Sequence, residues 1–175
     1  MNWRIKGVIQ KMLSATPGGR SLNSQLQFRL GGLKNFDRNV DTKVIADWLV
    51  LASNLRKLGQ PLAGREYLEI GTGWYPTLPT CFALIGARRV YTLDLHPLMN
   101  WDLTRRMVVR LGIHLDRIAH ELDARPADLR ERWEALSAAA TAREFLSRAN
   151  IQYVAPGDAA ATGLDPGSIN VVFSN

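Results

Sequence analysis

The most constraining stretch of this chain is Tyr67-Leu-Glu-Ile-Gly-Thr-Gly73, followed by Val90-Tyr-Thr-Leu-Asp94. A short apolar run that ends in Gly-x-Gly reads as a buried strand entering a tight turn, where glycine supplies positive φ and lets a ligand approach the backbone. Thr77 to Ile85 then reads as a helix with Pro79 in its first turn, where a missing N–H costs little. Gly86 stops that helix, and Arg89 to Leu95 reads as a second strand. Strand, turn, helix, strand is a βαβ unit, so the spacing predicts parallel strands joined by a right-handed crossover.

The rest of the chain arranges itself around this unit. Residues 1–60 read as an N-terminal helical cap. Asn2 to Ala15 carries Trp3, Ile5, Val8, Ile9, Met12 and Leu13 at helical spacing, with Pro17-Gly18-Gly19 as its stop. A second helix is expected over Ser21 to Leu30. A third is capped by Asp41 and carries one apolar stripe, Val44, Ile45, Trp48, Leu49, Ala52, Leu55 and Leu58, before Gly59. Residues 61–175 read as an α/β domain with a Rossmann-like parallel sheet and a helical segment at 98–150. In that segment Asn100 caps a helix with Leu103, Met107, Val108 and Leu111, and Pro126 opens another with Leu129, Trp133, Leu136 and Ala140 on one side. Ile151 to Val154 and Ile169 to Ser174 are the third and fourth strands.

Composition sets wider bounds. The 175 residues are 46% hydrophobic and 22% charged, ordinary for a globular domain. The net charge of +6 is read as a solvated surface rich in arginine, because no basic run is interleaved with aromatics as a nucleic-acid platform requires. Cys81 is the single cysteine, which points to a reducing, cytoplasmic setting and reads as a small helix-face residue. The first residues lack the continuous apolar core of a secretory signal, and no apolar run reaches the ~20 residues that span a bilayer. The first helix is basic and amphipathic, and is read as packing on the body of the protein rather than on a membrane surface.

The pocket chemistry follows from the strand ends. Ligands of parallel sheets bind beyond the carboxyl ends of the strands. Gly71 and Gly73 lie at one such end and Asp94 at the next, where a carboxylate accepts hydrogen bonds from ribose hydroxyls, each contributing ~1.5–3 kcal/mol before desolvation. A dinucleotide site needs a third glycine for its pyrophosphate, and that position is Pro76. Glu69, two residues before Gly71, repels a pyrophosphate and attracts an amine and a sulfonium. S-adenosylmethionine carries both cations and no phosphate. A nicotinamide-dependent oxidoreductase with an atypical turn is the competing reading.

At this point the chain resembles the class I S-adenosylmethionine-dependent methyltransferases. The resemblance rests on Leu68-Glu-Ile-Gly-Thr-Gly73, Leu93-Asp-Leu95, Gly157-Asp-Ala159 and Leu164-Asp-Pro-Gly-Ser-Ile-Asn-Val-Val-Phe-Ser-Asn175, and covers the chain from about Glu66 onward. It implies that Glu69, Gly71 and Gly73 line the methionine part of the cofactor, directly or through water. It further implies that Asp94 holds the ribose, Asp158 accepts from the adenine amino group, and Asn175 lies near the methionine end. Tyr75 replaces the family's usual third glycine, and Trp74 and Tyr75 can face a sulfonium or pack on the cap helices.

The resemblance also implies strands beyond the fourth, so the sequence is expected to be part of a longer enzyme. Val171, Val172 and Phe173 would then form an open sheet edge prone to self-association, and a non-catalytic remnant is the third reading. The acceptor is expected to be a small molecule, lipid or saccharide. His96, His114 and His120 read as ordinary surface or packing residues, so no catalytic residue is assigned. Neither a metal-ligand spacing nor a specific nucleic-acid signal is present in the sequence.

Overall fold

A computed structural model describes residues 35–174. The parallel sheet lies within the compact unit that begins at Asn39. The helices expected over Asn2 to Ala15 and Ser21 to Leu30 fall outside the described residues, as does Asn175.

Four strands form one sheet: β1 (Glu66–Ile70), β2 (Arg89–Leu93), β3 (Ile151–Val154) and β4 (Val171–Ser174). Their order is β3-β2-β1-β4 and every pairing is parallel. The fold is α/β, as expected, and β4 lies beside β1. Register aligns Ile70 with Leu93 and with Ser174, and Leu93 with Val154, so the carboxyl ends converge on one rim.

Two strands, β2 and β4, are shorter than their apolar runs suggest, while β3 spans the expected residues. At the start of β4, the Asn170 side-chain oxygen takes the Glu66 N–H at 2.9 Å, and Asn170 N–H donates to the Glu66 carbonyl at 2.9 Å. A side chain thus stands in for a ladder bond, and regular pairing begins at Val171. Beyond Leu93, Asp94 N–H still reaches the Val154 carbonyl at 3.0 Å, but its own carbonyl turns to Gly157 N–H at 2.8 Å.

One face of the sheet carries Tyr67, Glu69, Val90, Thr92 and Phe173. Helix α3 (Thr77–Leu84) covers it with Phe82, whose ring stacks on Tyr67 at 4.0 Å between centroids and also meets Phe173 and Trp48. Trp48, Tyr67 and Phe82 are fully buried at the centre of the core; burying each such side chain is worth about 1.5–3 kcal/mol. On the opposite face Leu68, Tyr91 and Leu93 pack with Val154, and Leu164 and Ile169 from the segment before β4 lie against them. Val172 on that face is 58% exposed.

The helix expected to start at Asp41 starts earlier. It runs unbroken through α1 (Phe36–Thr42), a π-helical segment (Lys43–Trp48) and α2 (Leu49–Lys57). Asp41 is therefore not a cap. It lies inside α1, where its carboxylate accepts two bonds from Arg110, at 2.8 and 2.6 Å, and one from His114 at 2.8 Å. The Arg110 hydrogen bond leads in holding the Asp41 carboxyl below its ordinary range, against the opposing effect of burial. Val44, Trp48, Leu49 and Ala52 are buried, as the apolar stripe requires.

The segment between β2 and β3 is helical as expected. It comprises α4 (Trp101–Leu111), a 3-10 turn (Gly112–His114), α5 (Leu115–Leu122), α6 (Pro126–Ser137) and α7 (Ala142–Arg148). Asn100 caps α4, its side-chain oxygen accepting Leu103 N–H at 3.0 Å. Leu129 and Leu136 of α6 are buried, and the Trp133 indole N–H donates to the Val108 carbonyl at 2.7 Å. Ala140 is exposed and lies past the end of α6. Thr141 caps α7. Among the described residues, no helix is long and apolar enough to cross a membrane.

Candidate functional site

β1 ends at Ile70 because the next residues turn back over β2. Gly71 has φ of +90° and Gly73 φ of +72°, conformations that side chains strongly disfavour. Gly71 N–H donates to the Leu93 carbonyl at 2.8 Å, and Gly73 N–H reaches the Asp94 carboxylate at 3.1 Å (Oδ2) and 3.3 Å (Oδ1). The glycine turn and the acid after β2 are therefore one hydrogen-bonded unit.

Asp94 is only 7% exposed. Burial raises its pKa above the ordinary value, while the Gly73 N–H and the Tyr153 hydroxyl act in the opposite direction. Tyr153, at the carboxyl end of β3, places its hydroxyl 3.2 Å from Asp94 Oδ2. The Tyr153 hydroxyl oxygen in turn accepts Leu98 N–H at 3.0 Å and Met99 N–H at 3.3 Å.

These elements border a cleft of about 540 Å³ at the rim of the sheet. Gly71, Asp94 and Asp158 line it together with apolar Ile70, Leu95 and Leu98. Three of the residues singled out from sequence thus share one cavity, and Gly73, outside its lining, is hydrogen-bonded to one of them, Asp94. Asp158 is exposed, and its Oδ1 accepts Ala160 N–H at 2.8 Å, which shapes the turn after β3. Gly157 precedes it in tight quarters: a Cβ there would lie 2.9 Å from the Val154 carbonyl oxygen and 3.3 Å from Leu93.

Glu69 is placed differently. It is 3% exposed and lies behind the glycine turn, outside the lining of that cleft. Thr92 Oγ1–H donates to its Oε2 at 2.8 Å. Thr72 Oγ1 lies against Thr92 Oγ1, and the Thr72 hydroxyl also favours the ionised Glu69 carboxylate through a hydrogen bond. Burial pushes the Glu69 carboxyl up to about 7, against the opposing effects of the Thr92 hydrogen bond and the Lys43 charge. Lys43 opens the π-helical segment, and its ammonium lies 5.6 Å from the centre of the Tyr75 ring. Tyr75 is buried and Trp74 half-buried; the Trp74 carbonyl accepts Asn100 N–H at 2.9 Å.

The remaining candidates fall where the sequence reading put them. Cys81 is fully buried in α3, and burial raises its thiol pKa. His96 is exposed at the edge of the cleft, His114 is buried against Asp41, and His120 is exposed on α5.

Four contributors were not singled out from sequence: Lys43, Thr72, Thr92 and Tyr153. Thr92 did leave a trace, as a polar residue at an inward position of an otherwise apolar strand. Tyr153 left none, since a tyrosine in a buried strand usually means packing. Comparison with known proteins finds no matching family model, no matching curated protein and no matching solved structure.

Proposed function

We propose that this protein binds S-adenosylmethionine and directs its methyl group to a small-molecule, lipid or saccharide acceptor. The supporting observation is the gathering of three carboxylates, Glu69, Asp94 and Asp158, around the Gly71–Gly73 turn. A pyrophosphate adds negative charge where burial already makes ionisation of Glu69 and Asp94 costly. A sulfonium and an ammonium add positive charge and relieve that cost. In this reading Asp94 holds the ribose, Asp158 reads the adenine, and Ile70, Leu95 and Leu98 give the base apolar surface. Glu69 acts on the methionine end from behind the turn.

Methyl transfer from a sulfonium is an in-line displacement in which the carbon–sulfur bond breaks as the acceptor bond forms and positive charge on sulfur is lost. Alignment of donor and acceptor supplies much of the rate, up to ~7–11 kcal/mol in well-oriented systems. The chain's part in that step is to fix the donor. The lone buried Cys81 supports a cytoplasmic setting.

Calorimetric titration with S-adenosylmethionine, S-adenosylhomocysteine and NAD tests the reading. The first two bind and NAD does not. Binding of NAD without S-adenosylhomocysteine would transfer the site to the oxidoreductases.

A further inference from the structure

The Tyr153 hydroxyl has one proton and two lone pairs. Leu98 N–H and Met99 N–H point at its oxygen from 3.0 and 3.3 Å, and a backbone N–H can only donate. Both lone pairs are thereby taken. The phenol proton must go outward, and its nearer acceptor is Asp94 Oδ2 at 3.2 Å, with the His96 carbonyl at 3.4 Å. Burial raises the pKa of the phenol, so it keeps that proton. Oδ2 also takes the shorter arm of the Gly73 N–H at 3.1 Å and Oδ1 the longer arm at 3.3 Å, and the Thr72 N–H is a further backbone donor to the same carboxylate. The Tyr153 hydroxyl thus adds a donor to Oδ2 that Oδ1 does not receive.

Through Leu98 and Met99, the same hydroxyl holds the segment after β2 that supplies Leu95, His96 and Leu98 to the cleft wall.

We propose that Tyr153 is a positioning residue of the cleft: it occupies Asp94 Oδ2, presents Oδ1 to a sugar hydroxyl of an adenosyl ligand, and holds the 95–99 wall. The subsite therefore selects a ribosyl over a 2′-deoxyribosyl ligand, and that selectivity depends on the phenolic proton. The inference rests on the adenosyl reading of the cleft.

Binding of S-adenosylhomocysteine and of its 2′-deoxyribosyl analogue to the full chain, and to Tyr153→Phe, tests it. Wild type should prefer the ribosyl ligand by about tenfold or more. Tyr153→Phe keeps the ring and should bring that ratio below about threefold. A merely structural role would weaken both ligands and leave the ratio intact, which would overturn the proposal. Should the phenylalanine variant not fold, 3,5-difluorotyrosine at position 153 keeps the packing and ionises at lower pH. In that protein the preference should fall as the fluorinated phenol ionises, while staying flat in wild type over the same range; a flat profile in both would overturn the proposal. Wild type that binds neither ligand overturns the adenosyl reading together with this inference. Wild type that binds both, with a ratio unmoved in Tyr153→Phe, overturns this inference alone.

Discussion

Glu69→Gln should make the protein more stable at neutral and alkaline pH and leave it nearly unchanged in acid. The wild-type carboxyl rises from an ordinary 4.5 to about 7, with burial as the leading cause. A folded-state pKa above the unfolded one means that the folded chain binds the extra proton between those two values. Stability is therefore full below pH 4.5, falls as pH rises toward 7, and stays lowered above it. At ~1.4 kcal/mol per pH unit, the accumulated loss is about 3 kcal/mol. Glutamine still accepts the Thr92 hydroxyl proton and never ionises, so the variant is spared this loss.

Urea denaturation of both proteins from pH 5 to 8 reads the difference directly. The stability gap should widen in favour of the variant by about 2–3 kcal/mol across that range. Carboxylates that act alike in both proteins, such as Asp41, cancel in the comparison. Parallel profiles would show that Glu69 does not carry the burial penalty and would remove the electrostatic argument for a cationic ligand.

Other outcomes follow from the same geometry. Lys43→Met removes a charge that favours ionised Glu69, so the Glu69 titration, followed by carboxyl NMR, should move to higher pH; an unmoved titration would separate Lys43 from the site. Asp94→Ala should weaken S-adenosylhomocysteine about 10- to 100-fold by calorimetry, and unchanged affinity would take the ribose role from Asp94. Gly157→Ala places a methyl 2.9 Å from a backbone oxygen, which should cost about 1–3 kcal/mol in thermal or chemical unfolding; a neutral result would mean that the turn bearing Asp158 yields.

The unit of β1, α3 and β2 was legible because its signals are local. Apolar strands, positive-φ glycines and the order of strand, turn and helix all lie within about thirty residues, from Glu66 to Asp94. The gathering of Gly71, Asp94 and Asp158 was legible because Gly71 and Asp94 follow directly on strands, Asp158 lies in the turn after β3, and the strand ends share one rim.

What escaped depends on contacts distant in sequence. Asp41 had the look of a helix cap, because its partners Arg110 and His114 lie some seventy residues away. Tyr153 is 59 residues from the carboxylate it serves. The start of β4 moved to Val171 because the Asn170 side chain, a hydrogen-bonding group within an apolar run, took a bond from the ladder. Glu69 was identified by its type and place. Its seclusion behind Thr72 and Thr92 required knowing that β1 and β2 pair Glu69 with Thr92.

Asn100 ties two parts of the molecule through one residue. Its N–H is held by the Trp74 carbonyl in the glycine turn, and its side chain closes the first turn of α4. Any movement of the turn that shifts the Trp74 carbonyl would therefore bear on the start of α4. Linkage requires the reverse as well: a molecule that grips α4 more tightly in one state of the turn must shift ligand affinity by the same factor. Asn100 thus makes the glycine turn and the start of α4 one hydrogen-bonded unit, through which a ligand of either could act on the other.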